Sequence, residues 1–136
     1  MKNKPVLGLD DIRTIATAAE AEARRNGWAV TIAIVDDGGH PLWLQRLDDA
    51  APISAYIAGE KARTAALGRR ETKSYEDMVN QGRYSFLSAP KIEALLEGGL
   101  PIVVDGHHVG AVGVSGVKST EDAQIAAAGI AALAGR

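Results

Sequence analysis

Among the residues able to do chemistry, Ser115 comes first, in the stretch Gly113-Val-Ser115-Gly116-Val117. A nucleophile elbow needs Gly-x-Ser-x-Gly on a tight strand-to-helix turn that lifts the hydroxyl clear of the backbone. Here the fifth position is Val117 and no helix follows at once. Ser115 is therefore read as a hydrogen-bonding group rather than a nucleophile. Strand alternation puts Val109, Ala111, Gly113 and Ser115 on one face, and His108, Gly110, Val112, Val114 and Gly116 on the other. The small-residue side leaves room beside the backbone. Either a packed helix fills that room, or a small or flat ligand enters it with its anionic end toward the free N–H groups before residue 120.

Arg46 and Asp48 share a strand face with Leu42 and Leu44, a cation and an anion beside apolar neighbours. They form either an ion pair at a strand end, or a grip in which Arg46 takes a ligand carboxylate and Asp48 orients it. On a helical wheel Ile53, Tyr56, Ile57, Glu60, Thr64 and Leu67 fall together, which sets Glu60 inside an apolar stripe with Lys61 at its edge. A carboxylate so placed calls for Arg46, Lys61 or Arg63 as partner, or holds its proton tightly enough to act as an acid or base. The opposite face, Ala55, Gly59, Ala62 and Ala66, permits close approach and would suit a subunit contact. His107 and His108, in one strand, point to opposite faces. Asp36, Asp37 and His40 cluster at a turn without a recognised metal-ligand spacing, so no structural metal site is expected.

The elements that must position these groups follow from period and turn residues. Ile12, Ile15, Ala16, Ala19 and Ala23 recur at helical spacing over about 11–25, behind Asp10 as cap and ahead of Asn26-Gly27. Residues 28–36 and 41–48 read as strands joined by the turn at 37–40. A helix spans about 52–67, and a shorter one follows Ser74. Residues 82–92 carry no clear period. "LPIVVDG" and "HHVGAVGVSG" form a second hairpin across Asp105-Gly106, and a last helix covers about 120–134, with Ser119 and Asp122 as a capping pair. Hairpins with helices spliced between them imply an α+β sandwich on an antiparallel sheet.

The chain has 136 residues, 46% of them hydrophobic and 24% charged, as one globular domain over 1–136 would. With no cysteine, thiolate sites and disulfides are excluded. A formal charge of -2, with no basic stripe, argues against nucleic acid as a partner. No apolar run approaches the ~20 residues of a membrane helix, so the reading is no membrane and a cytoplasmic location.

"VDDGGHPLWLQRLDDA" (35–50), "EKARTA" (60–65), "GGLPIVVDG" (98–106), "VGAVGVSG" (109–116) and "EDAQIAAAG" (121–129), in this order, are similar to the GlcG/HbpS-like family. That family is also called the haem-degrading domain family and is found as the C-terminal domain of PduO-type proteins. The resemblance implies a profilin-like antiparallel sheet of about five strands flanked by helices, a homo-oligomer, and haem as the named ligand of some relatives. The leading expectation is a small-molecule-binding protein with its pocket between the sheet and the second helix. Arg46, Asp48, Lys61, Gly113, Ser115 and Gly116 are its ligand residues, with Arg69 as a further cation. The alternative is an enzyme acting on a small hydroxy or oxo acid, with Arg46 on the carboxylate and Glu60, Asp48 or His40 moving a proton. A blander reading is a scaffold subunit without a pocket.

Overall fold

In the computed structural model, which describes residues 1–135, the apolar stretch Thr31–Asp36 forms a central strand, β1. β2 (Pro41–Arg46) and β4 (His107–Ser115) flank it, and β3 (Gly99–Val104) pairs with β4. The sheet is antiparallel throughout, in the order β2-β1-β4-β3. Asp105 and Gly106 close the second hairpin at φ 49° and 78°, the paired left-handed conformations that match strand twist. Residues 28–30 do not begin β1. They bring the chain off the first helix, with the Trp28 N–H bonded to the Ala23 carbonyl at 2.9 Å.

The sheet has four strands rather than about five. The periodless stretch 82–92 supplies no strand: Tyr84–Ser88 is a 3-10 turn, held where the Phe86 ring meets Tyr75 at 5.7 Å between centroids.

The helices are α1 (Leu9–Arg25), α2 (Ile53–Gly68), α3 (Thr72–Asn80) and α4 (Ser119–Ala131). α1 begins behind Gly8, whose N–H donates to Asp11 Oδ2 at 2.8 Å, so Asp11 takes the capping role expected of Asp10. In α4 the Lys118 N–H donates to Glu121 at 3.2 Å, and Asp122 turns inward instead of capping. α3 starts two residues before Ser74 because the Thr72 hydroxyl accepts the Gly99 N–H at 2.9 Å, tying the helix to β3.

The two faces of the sheet are packed differently. On one, Ile12, Ile15 and Ala19 of α1 and Ile125 and Ala126 of α4 bury Ile32, Ile34, Val112 and Val114. Each buried isoleucine or valine among them contributes about 1.5–3 kcal/mol. Val109 belongs to this face and not with Ala111, because the β3–β4 register shifts between Ile102 and Val103 and the extra residue reverses the alternation. On the other face, Ala33, Val35 and Ala111 form a buried cluster with alanines of α2: Ala58, Ala62, Ala65 and Ala66. Here the helix lies almost on the backbone. Gly99 and Gly113 are register partners; a Cβ on Gly113 would stand 2.1 Å from the Ala58 carbonyl oxygen, and one on Gly99 2.4 Å from that of Lys61.

That close approach reverses α2. Ala62 and Ala66 of the small-residue face, expected to suit a subunit contact, are buried against the sheet, with Gly59 and Ala55 half-buried beside them. Ile53, Tyr56 and Leu67, expected inside, are 63%, 78% and 43% exposed. Two facing glycines leave a gap that alanine fills and isoleucine does not.

A candidate ligand cleft between the sheet edge and α2

Where β2 runs past the end of the alanine layer, the sheet and α2 diverge and leave an open cleft of about 630 Å³. Its walls are Ala33 and Val35 of β1, Pro41, Trp43 and Leu44 of β2, and Ala55 and Leu67 of α2. Polar groups enter it from His40, Glu60, Arg63 and Lys91. Mostly apolar walls with a few converging polar groups, at this size, are the usual form of a small-molecule site.

His40 stands at the rim, and its orientation is set by Asp36. Asp36 Oδ1 accepts the N–H groups of Gly38 and His40, each at 2.9 Å, and Nδ1 of the His40 ring at 3.0 Å. Burial by itself would raise the Asp36 pKa. The two backbone N–H groups and the imidazole outweigh burial and leave it below its ordinary value. An ionised carboxylate only accepts, so Nδ1 carries a proton, and in the neutral ring Nε2 is then the nitrogen with the lone pair.

Glu60 and Arg63 lie one turn apart on α2, with Arg63 Nη2 donating to Glu60 Oε2 at 2.5 Å; both side chains are about one-third exposed. Arg63 Nε is enclosed and, among the described residues, has no hydrogen-bond partner. Beside the cleft, Ile53, Tyr56, Ile57 and Leu96 line a second, apolar groove of about 640 Å³ that shares Glu60 with it. The Thr64 hydroxyl donates to the Glu93 carbonyl at 2.6 Å and accepts its N–H at 3.0 Å, fastening this outer segment to α2.

Of the residues singled out by the sequence, His40 and Glu60 meet in the cleft. Arg46 and Asp48 do not line it: Arg46 is exposed at the end of β2, and Asp48 lies in the turn beyond. There Asp48 is near Arg24, whose pKa is raised chiefly by hydrogen-bonded Glu20 and in smaller part by Asp48. Lys61 is taken from the ligand set into the core. It is 2% exposed, and its ammonium donates to the Val114 carbonyl and to Asp122, each at 3.0 Å. Gly113 is covered by α2, Ser115 is 7% exposed opposite Thr31, and Gly116 packs against the backbone of Ala29 and Val30. Their turn is thus filled by protein. Arg69 caps the end of α2, exposed and left-handed. Arg63, named from sequence only as a partner for Glu60, is the cation that faces the cleft, and Lys91 joins it from a stretch with no periodic signal. The i, i+3 spacing of Glu60 and Arg63 was the available clue.

Among the described residues no group of three or more His, Asp or Glu side chains could hold a metal ion, and no helix is long and apolar enough to cross a membrane.

Residues 7–131 match the family described as haem degrading protein HbpS-like. The chain belongs to the HbpS-like family. Its HbpS-like relatives include protein GlcG of Escherichia coli K12, 59% identical over 115 residues that make up 85% of each chain. Among solved structures, Klebsiella pneumoniae protein ORFY superposes with a TM-score of 0.92 at 28% identity, over 100% of this chain and 96% of that one. The PduOC–heme complex gives a TM-score of 0.85 at 29% identity, over 94% of this chain and 95% of that one. HbpS of Streptomyces reticuli, as a double mutant, gives 0.88 at 31% identity, over 98% and 90%. The HbpS-like fold here is therefore an α+β sandwich with a four-stranded antiparallel sheet between helices.

Proposed function

We propose that this HbpS-like protein binds a small ligand in the cleft between the β1–β2 hairpin and α2, that haem is that ligand, and that His40 would hold its iron. The observation that carries the reading is the Asp36–His40 pair. A histidine that ligates iron commonly donates its other ring N–H to a carboxylate, which fixes the tautomer and the ring. Nδ1 of His40 is so held at 3.0 Å, leaving Nε2 for a metal. The cleft fits the group in two further respects. Leu44, Pro41 and Leu67 offer apolar walls to a porphyrin plane, and Arg63 and Lys91 offer cations to its carboxylates. Haem bound there would supply an iron centre; the protein's part is to orient His40 and to cover an apolar plane. A relative with a heme complex and the family's description support the choice of ligand.

Homo-oligomeric assembly is part of this proposal. With the small-residue face of α2 packed on the sheet, the surface for it is the outer face, where Ile53, Tyr56 and Leu96 are exposed.

Titration of the haem-free protein with hemin tests the reading, with His40→Ala in parallel. The expected result is a saturable Soret shift at one site per subunit whose position changes in His40→Ala. A folded protein with no saturable shift would sink it.

One observation favours a second reading. His40 and Glu60 enter the same cleft as Arg63, an arrangement that would also serve acid/base chemistry on a small hydroxy or oxo acid. Glycolate and glyoxylate are the substrates to try. In that case Glu60→Gln would abolish turnover and keep substrate binding, whereas a binding protein would lose little or no ligand affinity.

A further inference from the structure

We infer that the α2 side of the cleft is a carboxylate subsite, in which Arg63 holds a carboxylate of the ligand and Glu60 is the resident carboxylate that the ligand displaces. The inference rests on the proposed use of this cleft and goes further by assigning Glu60 as the resident group that a ligand carboxylate displaces from Arg63.

The charges lining the cleft are unequal. Arg63 and Lys91 contribute cations against the single carboxylate of Glu60, while Asp36, which lies behind His40, is not part of the wall. A ligand that brings carboxylates therefore completes the charge balance, and one without them leaves it incomplete. Arg63 is suited to the task by geometry as well as sign. Its planar guanidinium can hold a carboxylate through two parallel N–H groups, yet Glu60 takes one contact, at Nη2; Nε is enclosed, so the N–H groups left for a ligand are those of the terminal nitrogens. The pair is also partly open to the cleft, with side-chain exposures of 32% and 33%, so an incoming oxygen can reach the guanidinium.

The turn that carries His40 makes room for this arginine. Gly39 has φ +81°, and a Cβ there would lie 2.9 Å from Arg63 Cγ and 3.5 Å from Leu67 Cγ. Gly39 thus admits the stem of Arg63 beneath the hairpin and couples the position of the cation to that of His40, the next residue. One short turn sets both ends of the site.

The test compares hemin with hemin dimethyl ester, which keeps the porphyrin and iron but lacks free propionates. Both are titrated into wild type, Arg63→Gln, Arg63→Lys, Glu60→Gln and His40→Ala, each checked for its fold by circular dichroism. Wild type should prefer hemin over the ester by about tenfold or more, the size of one lost charge-assisted hydrogen bond. Arg63→Gln should erase that preference and Arg63→Lys restore part of it. Glu60→Gln should bind hemin several-fold more tightly with the ester unchanged, since the competing carboxylate is gone. His40→Ala should alter the spectrum and keep the preference. Equal affinity for the two probes in wild type, or a preference that survives Arg63→Gln, would overturn the subsite and leave the haem reading standing. Failure of both probes to bind folded wild type would overturn both.

Discussion

The ammonium of Lys61 lies 3.0 Å from the Asp122 carboxylate, with the two side chains 2% and 3% exposed. The same ammonium donates to the Val114 carbonyl, and Asp122 Oδ1 accepts the Val117 N–H at 3.2 Å, so one pair fastens α2 and α4 to the end of β4. Burial raises the Asp122 pKa; Lys61 and the Val117 N–H draw it back without cancelling that rise. Lys61→Met strands a buried charge and should cost about 3–5 kcal/mol in urea unfolding. Lys61→Met/Asp122→Leu should regain most of it. A single-variant cost under about 1 kcal/mol would contradict a pair held in the core.

Gly113→Ala should destabilise by about 1–3 kcal/mol or more, because its methyl meets the Ala58 carbonyl at 2.1 Å and the Ala62 nitrogen at 2.5 Å. Gly59, on the same helix, is the control: nothing lies within 4 Å of its Cβ position. Gly59→Ala should stabilise by about 0.4–1 kcal/mol through the unfolded chain. Chemical denaturation of both variants reads out opposite signs. Like signs would mean that α2 does not rest on β4 as described.

The acid limb of the stability curve should depend on Asp36. Its folded pKa lies below its ordinary value of 3.8, so its contribution is complete above that pH and is lost as pH falls through the folded value. Asp122 has the opposite sign: with a raised folded pKa, its contribution is greatest below 3.8 and declines as pH rises through the folded value. Asp36→Asn should therefore lower Tm near neutrality and flatten its fall in acid. An acid limb as steep as that of wild type would assign the loss to other carboxylates.

Asp36→Asn should also weaken the hemin Soret response through the His40 ring, while Ser115→Ala should leave hemin binding within about twofold of wild type, since Ser115 does not line the cleft. A strong Ser115→Ala effect on binding in a folded protein would move the site to the other end of the sheet.

Tyr56→Glu places a charge on the exposed outer face of α2. If that face joins subunits, light scattering should report a smaller particle than wild type with an unchanged far-ultraviolet spectrum. An unchanged particle would locate assembly elsewhere.

Much of the fold was legible because it is local. The helical recurrence of Ile12, Ile15, Ala16, Ala19 and Ala23 marked α1, whose buried residues are these five. Asp105-Gly106 marked its turn because few other pairs adopt both left-handed conformations. His40 and Glu60 drew notice as polar residues in unusual settings, and both reached the cleft.

The errors are of another kind. Lys61 looked like a rim cation because its partner Asp122 is 61 residues away, and nothing in the neighbourhood of either predicts their meeting. Arg46 and Asp48 looked paired by alternation, but β2 ends at Arg46 and the alternation ends with it. The inward face of α2 was misread because larger apolar residues are ordinarily the buried ones.

By itself the sequence determined the order of helices and hairpins, the turns, and the family, all set by short-range spacing and by motifs in series. The tertiary structure alone decided which side of α2 faces inward, which cation is buried and which lines the cleft. The physical reason is that Gly99 and Gly113 admit the helix backbone to the sheet. That approach forces alanine inside, sends Ile53 and Tyr56 outward, and sets Glu60 and Arg63 at the edge where sheet and helix part.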